Sequence, residues 1–298
     1  MNTTSAVRTE TEAGVRSIIL CRPDAYNTIT PTLRDELAAA IDDADADPDV
    51  HVILLRADGP AFCAGYGLDW STEIQAAEAS RERAWDSVMD MRMMSSFVNT
   101  YMKLWYAAKP TIAAVQGWCV GGGTDMVLCA DIIIAAEGAS FGYPPARVWG
   151  TPTTAMWVYR MGLERAKRYL LTGDEITAAE AARTGMILET VPDEQLQQHA
   201  LSFARRMAQL PITQLVMLKL LCNQTAENMG LASSRTLGIL FDGIARHTQE
   251  GQDFVTRAKE AGFRQAVRER DDPFGDYGSG PRGRRGKSGT GEGKNASE

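Results

Sequence analysis

Short apolar runs bounded by turn-forming residues alternate, in the first half of the chain, with segments of helical periodicity. Four of these runs predict buried strands, at residues 15–20, 51–57, 111–115 and 132–136. Thr30 is suited to cap a helix and Pro31 to take its first position, so we expect a helix from there to about Ala46. Strands that alternate with helices in this way indicate an α/β fold.

Helical patterns dominate the second half of the chain. From Pro152 onward we expect a single late strand, at residues 186–191, and residues 211–270 predict helices alone. Another long helical region is expected from about Ser71 to Ala108. Large apolar residues recur in it near helical spacing, which favours core packing and could also line an apolar pocket. They are Trp85, Met89, Met93, Phe97, Met102 and Trp105.

Composition changes mainly at the two ends of the chain. Residues 1–13 are polar and predict a flexible arm, residues 14–210 form the predicted core, and residues 211–275 form its helical C-terminal region. Residues 276–298 are rich in Gly and Ser and contain a basic cluster, so we expect a disordered tail there.

Charge and cysteine content narrow the range of functions. The 298 residues carry a formal net charge of -7, which disfavours a nucleic-acid-binding protein. The five cysteines form no C-x-x-C pair, and no metal, nucleotide or flavin motif is visible, so we expect no metal and no redox cofactor. The N-terminus lacks an apolar signal segment, and no apolar run approaches the ~20 residues of a membrane span. We therefore expect a cytoplasmic protein without membrane association.

Two glycine-containing loops carry the candidate chemistry. Residues 62–66 follow one predicted strand, and residues 121–125, with three consecutive glycines, lead from another strand into a helix. Such loops expose backbone N–H groups, and the helix N-terminus adds positive potential, so together they could stabilise an oxyanion. No G-K-[ST] follows the glycines and no G-x-G-x-x-G is present, which argues against a phosphate or dinucleotide loop.

The loops lack the residues of a nucleophilic hydrolase. The three histidines, His51, His199 and His247, all lie outside them, which disfavours a Ser-His or Cys-His enzyme. Cys63 and Cys119 are therefore interpreted as small packing residues rather than nucleophiles.

The chain from about Val15 to Ala261 resembles the crotonase (enoyl-CoA hydratase/isomerase) superfamily. The resemblance lies in the segments LCRPDAYNTIT, PAFCAGYGL, KPTIAAVQGWCVGGGTDM, CADIIIAAEGASFGYP and RAKRYLLTGDEITAAEAARTGMILETVP. It implies a crotonase-like spiral of ββα repeats, followed by a C-terminal helical trimerisation region. It also implies an acyl-CoA thioester substrate and assembly as a homotrimer or homohexamer.

The resemblance assigns roles to individual residues. The N–H groups of Tyr66 and Gly122 would hold the thioester oxyanion, and Asp125 would be the acid or base. Coenzyme A, as part of the substrate and with no separate cofactor, would run past Arg22 and Tyr26. Further substrate-binding residues would be Cys63, Ala64, Gly65, Gly121, Tyr143, Pro145, Arg147 and Trp149. Phe254 and Arg257 match positions that contact coenzyme A from a neighbouring subunit.

The chain departs from the pattern of the hydratases at both acids. Hydratases of the family use two glutamates around one water, and here Asp125 and Pro145 occupy those positions. Proline cannot transfer a proton, and aspartate is one carbon shorter than glutamate. Asp69 could replace an acid missing at Gly67 or cap the next helix. Arg147 could bind a polar group of the acyl chain or form a salt bridge.

Three classes of function remain open. The first is an enoyl-CoA hydratase or dehydratase that uses Asp125. The second is another crotonase reaction, such as decarboxylation of a malonyl-type thioester, thioester hydrolysis or C–C bond cleavage. Decarboxylation needs a stabilised enolate but no second acid, and some decarboxylases of the family also have proline at the position of Pro145. The third is a non-catalytic acyl-CoA-binding homologue.

Overall fold

The computed structural model of the protein describes residues 5–67 and 86–277. A six-stranded sheet forms its centre, in the order β1-β2-β3-β4-β6-β9. Only β1 and β2 pair in antiparallel fashion, and the other neighbours are parallel. The strands are β1 (Val7–Glu12), β2 (Val15–Leu20), β3 (Val52–Ala57), β4 (Thr111–Val115), β6 (Ile132–Ala136) and β9 (Glu189–Val191).

A second, smaller sheet lies beside the ends of these strands, in the order β5-β7-β8. Its strands are β5 (Trp118–Val120), β7 (Ser140–Gly142) and β8 (Ile176–Thr177). The chain passes from β4 to β5 and from β6 to β7, so each ββ unit contributes one strand to each sheet. A parallel bridge from Cys63 to Cys119 adds the loop after β3 to the same stack. This repetition is the expected spiral of ββα turns.

Eleven helices are found in the two described ranges. They are α1 (Pro31–Ala46), α2 (Ser87–Tyr106), α3 (Gly122–Val127), α4 (Met156–Met161), α5 (Leu163–Leu170), α6 (Ala178–Arg183), α7 (Leu196–Ala208), α8 (Ile212–Asn228), α9 (Leu231–Arg246), α10 (Gln249–Ala261) and α11 (Phe263–Asp271). Thr30 caps α1 as predicted, accepting from the Leu33 amide. The prediction of helices alone from residue 211 to 270 is also confirmed.

The apolar stripe of α2 mostly faces the core. Phe97, Met102 and Trp105 are buried, as the helical spacing predicted, whereas Met89 is 49% exposed near the start of the helix. Trp85, Asp69 and the predicted start of this helical region near Ser71 lie outside the described residues. Within the described part of the chain, no helix is both long and apolar enough to cross a membrane.

The strands differ from the sequence expectations in several places. Residues 7–12 are not a flexible arm but form β1, held by the backbone ladder to β2. The carboxylate of Glu36 also accepts the amides of Ala6 (2.7 Å) and Val7 (2.9 Å). The polar sequence hid this strand because its stabilisation comes from backbone hydrogen bonds and only Val7 is buried. The late strand is shorter than predicted, and β5 and β8 were not predicted.

The C-terminal segment is anchored to Arg147 rather than disordered from residue 276. The Arg147 side chain is 2% exposed and donates to Asp271 (3.0 Å) and to both carboxylate oxygens of Asp276 (2.8 and 2.6 Å). Its guanidinium also lies 4.0 Å from the ring centroid of Phe274. Tyr277 is buried and donates to the Gly173 carbonyl at 2.8 Å. Of the two roles expected for Arg147, these contacts favour the salt bridge over binding of the acyl chain, because they already occupy its guanidinium.

Arg147→Ala should lower the free energy of unfolding by about 3 kcal/mol, because it removes the cation of the partly buried Asp276 and one of the two cations that pair with Asp271. The measurement is urea denaturation followed by tryptophan fluorescence. Arg168→Ala is the matched control, since Arg168 is 56% exposed and pairs with Asp174 at the surface. We expect the control to cost no more than about 1 kcal/mol. Equal losses in the two variants would contradict the anchoring role of Arg147.

Candidate active site

The two glycine-containing loops predicted from the sequence lie against one another. The first, residues 62–66, follows β3, and the second, residues 121–125, follows β5. The Val120 amide donates to the Cys63 carbonyl at 3.1 Å, and the Cys63 amide donates to the Trp118 carbonyl at 3.0 Å. Backbone hydrogen bonds thus fix the separation of the loops without relying on flexible side chains.

The three glycines of the second loop are required by space and by backbone conformation. A Cβ on Gly123 would lie 2.5 Å from the Cys63 carbonyl oxygen, and a Cβ on Gly122 would lie 2.7 Å from the Tyr66 ring. Gly121, which precedes α3, has a φ of 56°, a conformation that glycine adopts without steric cost. The loop can therefore approach its neighbour only with these residues.

A short parallel ladder with Ile29 orients the backbone of Tyr66. The Ile29 amide donates to the Gly65 carbonyl at 2.8 Å, and the Gly67 amide donates to the Ile29 carbonyl at 2.8 Å. Because successive amides alternate in direction along a paired segment, the Tyr66 N–H faces away from Ile29. Gly122 takes the first position of α3, where an N–H has no acceptor within the helix. Two backbone donors on adjoining loops could hold developing negative charge.

The side chain of Tyr66 is held from the opposite side by α2. Its ring meets Phe97 edge to face at a centroid distance of 5.4 Å, and its hydroxyl accepts from the Tyr101 hydroxyl at 3.2 Å. Burial raises the pKa of both phenols well above the usual value. Both groups therefore remain neutral at physiological pH, and the Tyr66 ring forms a wall of the site.

Asp125 lies one helical turn after Gly122 and is completely buried. One carboxylate oxygen accepts the amide of Thr153 (3.0 Å) and its hydroxyl (2.8 Å), while the other accepts the Thr154 hydroxyl (3.3 Å). Burial raises the pKa of Asp125 to about 7, although these hydrogen bonds oppose the shift. The carboxyl group is thus poised to gain or lose a proton near neutral pH.

Pro145 and Tyr143 lie beside the second loop. The Pro145 ring packs against Gly121, with its Cγ 3.6 Å from the position of a Cβ there. The Tyr143 hydroxyl donates to the Thr151 carbonyl at 2.7 Å. Burial raises the pKa of the Tyr143 phenol well above its usual value, with Asp125 adding to the shift. The position of the missing second acid is therefore filled by an apolar ring next to the glycines.

The residues predicted to lie along coenzyme A are brought to the first loop. The Ala64 amide donates to the Tyr26 carbonyl at 3.1 Å, and the Tyr26 ring lies 5.7 Å from that of Trp118. Arg22 donates to the Thr28 carbonyl at 2.8 Å, in the same turn. Arg22 and Tyr26 thus lie next to the Cys63–Tyr66 loop, and their contact with coenzyme A stays a prediction.

The two residues predicted to contact coenzyme A from a neighbouring subunit, Phe254 and Arg257, have partners within their own chain. The Phe254 ring lies 6.1 Å from that of Trp149 and 5.8 Å from that of Phe263. Arg257 pairs with Glu269 through two hydrogen bonds of 2.8 and 2.7 Å at the surface. A coenzyme A phosphate at Arg257 would compete with this exposed pair, so that role stays a prediction.

Sequence reasoning missed several residues around Asp125. Thr153 and Thr154 hold its carboxylate, and Asp242 and Arg246 of α9 are buried nearby. The one available signal was a single acid, Asp242, within the apolar run of α9.

The thiol groups agree with the interpretation as packing residues. Burial raises the pKa of Cys63 to about 12, which disfavours a thiolate. Among residues 5–67 and 86–277, no group of three or more His, Cys, Asp or Glu side chains could hold a metal ion.

Comparisons with known proteins show the family to which this chain belongs. A crystal structure of an enoyl-CoA hydratase from Mycobacterium smegmatis is 44% identical, covers 92% of this chain and 95% of its own, and has a TM-score of 0.87. An enoyl-CoA hydratase/isomerase structure from Xanthobacter autotrophicus Py2 is 29% identical, covers 91% and 99%, and has a TM-score of 0.82. A hydroxycinnamoyl-CoA hydratase-lyase from Pseudomonas fluorescens is 30% identical over 67% of this chain and 72% of its own.

These relatives share the fold in which the paired loops and the buried acid lie. The family described as enoyl-CoA hydratase/isomerase matches residues 10–261, which is most of the chain. The protein therefore belongs to the enoyl-CoA hydratase/isomerase family, the crotonase superfamily, as an enoyl-CoA hydratase-like enzyme.

Proposed function

We propose that the protein adds water to the α,β double bond of an acyl-CoA thioester, or removes it in the reverse direction. The observation that carries this proposal is Asp125, a buried carboxyl group with a pKa of about 7, one helical turn after Gly122. A group whose pKa lies near the working pH is the most effective proton-transfer catalyst. The hydratase names of the relatives support the same reaction class.

In this mechanism the N–H groups of Tyr66 and Gly122 bind the thioester oxygen. When water attacks carbon 3, electron density moves onto that oxygen and the thioester becomes an enolate. Donors aimed at the oxyanion stabilise this state more than the ground state, and each is typically worth about 2.7–4 kcal/mol. Water loses a proton as it attacks and carbon 2 gains one as the enolate collapses, and Asp125 takes part in this proton transfer.

The coenzyme A portion would lie along Arg22, Tyr26 and the loop of Cys63, Ala64 and Gly65. Backbone hydrogen bonds join that turn to this loop, which supports a continuous binding surface. Phe254 and Arg257 would add contacts from a neighbouring subunit. Coenzyme A is part of the substrate in this proposal, and no separate cofactor is invoked.

Decarboxylation of a malonyl-type thioester is the second candidate. The observation that favours it is Pro145, whose ring replaces an acid beside Gly121. Loss of carbon dioxide produces the same enolate and needs one proton donor at most, which Asp125 could supply. The two candidates differ in whether water or carbon dioxide is exchanged, so product analysis distinguishes them.

We also propose a homotrimer or homohexamer, because α8 and α9 expose many large apolar side chains. Exposed clusters of large apolar side chains usually mark an interface. The exposed residues on these helices are Met217, Leu218, Leu220, Leu221, Leu237, Leu240, Phe241 and Ile244.

Asp125→Asn should lower kcat for hydration of an enoyl-CoA by about 10²–10⁴-fold, because the amide cannot transfer a proton. The measurement is turnover of enoyl, 3-hydroxyacyl and methylmalonyl thioesters, read by mass spectrometry. Asp35→Asn is the control, since that side chain is 67% exposed on α1. Loss of carbon dioxide by the wild type would support decarboxylation instead. Binding without any turnover would contradict both and favour a non-catalytic homologue.

The stability of Asp125→Asn relative to wild type should rise with pH. A carboxyl group with a pKa near 3.8 when unfolded and about 7 when folded binds more protons in the folded state. The wild type therefore loses stability as pH rises through this window, by about 2–3 kcal/mol between pH 5 and 8. The variant lacks this loss. Urea denaturation at pH 5 and pH 8 measures the difference in unfolding free energy between the wild type and the variant. For Asp35→Asn we expect this difference to be the same at both pH values. The same result for Asp125→Asn would contradict a raised pKa.

Leu221→Glu should dissociate the assembly, because Leu221 is 71% exposed on α8 and would place a charge in the interface. Light scattering during gel filtration should give the wild type a mass of at least three chains, and the variant a mass near the 32.5 kDa of one chain. Leu171→Glu is the control, since Leu171 is 81% exposed after α5, outside α8 and α9. A monomeric wild type would contradict the proposal.

A further inference from the structure

We propose that Asp242 of α9 is the second proton-transfer group of the reaction, in place of the acid that Pro145 removes. This inference rests on the proposed hydration and deepens it, because hydration moves two protons and decarboxylation does not. Its structural basis is one short segment, residues 151–154, which binds the carboxylate of Asp125 and packs against α9 next to Asp242.

The segment approaches the two acids through residues 151 and 153, which are two positions apart. The Thr153 amide donates to Asp125 at 3.0 Å, and the backbone of Thr151 lies close enough to the Asp242 carboxylate to favour its ionised form. Residues 151 and 153 lie within about 7 Å of one another along the backbone. The carboxyl groups of Asp125 on α3 and Asp242 on α9 are therefore brought beside one short segment, close enough to interact electrostatically.

Close backbone packing fixes α9 in this position. The Thr151 hydroxyl donates to the Gly238 carbonyl at 3.0 Å, and a Cβ on Gly238 would lie 2.6 Å from the Pro152 carbonyl oxygen. Asp242 follows Gly238 by one helical turn and lies on the same face. The absence of a side chain at Gly238 thus lets α9 approach the segment closely enough for Asp242 to reach it.

Asp242 is surrounded by groups that the protein has removed from water. On α9 it faces Arg246, whose Nε lies 3.5 Å from its carboxylate, and Arg246 reaches Asp90 of α2 at 3.5 Å. Asp90 is also bonded by His247 at 2.8 Å. From the other elements, Tyr66, Tyr143 and Asp125 interact electrostatically with Asp242.

The balance of these groups leaves Asp242 able to titrate. Burial raises the pKa of Asp242 to about 6, with Asp90 adding to the shift and Arg246 opposing it. Asp125, with a pKa of about 7, is raised further by Asp242. A pair of this kind shares one proton over a range near neutral pH, so one carboxyl group is available as base and the other as acid.

Water addition then balances between the two groups. The ionised carboxylate takes a proton from water as the water oxygen bonds to carbon 3. The electrons of the carbon–carbon double bond move to the thioester oxygen. The protonated carboxyl group gives its proton to carbon 2, and the thioester carbonyl is restored. The pair ends with one proton, as it began, and enoyl-CoA plus water has become 3-hydroxyacyl-CoA.

The test compares hydration of enoyl-CoA by wild type, Asp242→Asn, Asp242→Glu and Asp90→Asn over pH 5 to 9. Asp90→Asn is the matched control, because it removes the other buried acid beside Arg246 but no contact to residues 151–154. We expect Asp242→Asn to lower kcat by about 10²–10⁴-fold and to leave a pH profile with one limb. Asp242→Glu, which keeps the carboxyl group, should retain both limbs, as should Asp90→Asn.

The outcomes separate this inference from the proposed function. If the wild type hydrates enoyl-CoA and Asp125→Asn does not, while Asp242→Asn keeps the two-limbed profile and the turnover of Asp90→Asn, then Asp242 is structural and the inference is overturned. If Asp242→Asn does not fold, a profile with one limb in Asp242→Glu overturns it. If the wild type hydrates no enoyl-CoA, the proposed function fails and the inference falls with it.

Discussion

The contact between two backbone loops is the constraint on which the rest of the site depends. The Val120 amide bonded to the Cys63 carbonyl places the loop after β3 against the loop after β5. The contact sets the separation of Tyr66 and Gly122, and it requires Gly123, since a Cβ there would collide with the Cys63 carbonyl oxygen. In the proposed reaction, a pair of backbone donors built in this way would need no reorganisation, and such preorganised donors stabilise an oxyanion strongly.

The same contact determines the depth of the acid. Asp125 follows the glycines within α3, so the packing of this loop against residues 62–66 also buries its carboxyl group. Removing a carboxylate from water is costly, and the raised pKa expresses that cost. The hydrogen bonds from Thr153 and Thr154 recover part of it and fix the orientation of the carboxylate. Stability and reactivity are therefore opposed at this residue.

Local sequence signals predicted those structural features that are determined by residues close together in the sequence. Strands β2, β3, β4 and β6, the cap at Thr30 and the glycine loop could be predicted because each is encoded within a short segment. Which of its two possible roles Arg147 takes could not be predicted, because its partners Asp271 and Asp276 lie 124 and 129 residues further along the chain. Strand β1 was missed because its polar side chains carry no apolar pattern.

The residues around Asp125 were missed for the same reason, because they lie far from it along the sequence. Thr153 and Thr154 have no motif of their own, and they become significant only when the fold brings them to an acid 28 and 29 residues earlier. Asp242 lies still further away, on a helix whose packing against residues 151–154 depends on the space at Gly238. No local sequence pattern reveals a contact between elements so far apart in the chain.

The most direct measurement of the central claim is a crystal structure of the protein with a saturated acyl-CoA bound. The account predicts that the thioester oxygen lies about 2.7–3.1 Å from the backbone nitrogens of both Tyr66 and Gly122. Carbons 2 and 3 should then face Asp125. A thioester oxygen bound to other donors, or to only one of these two, would contradict the account.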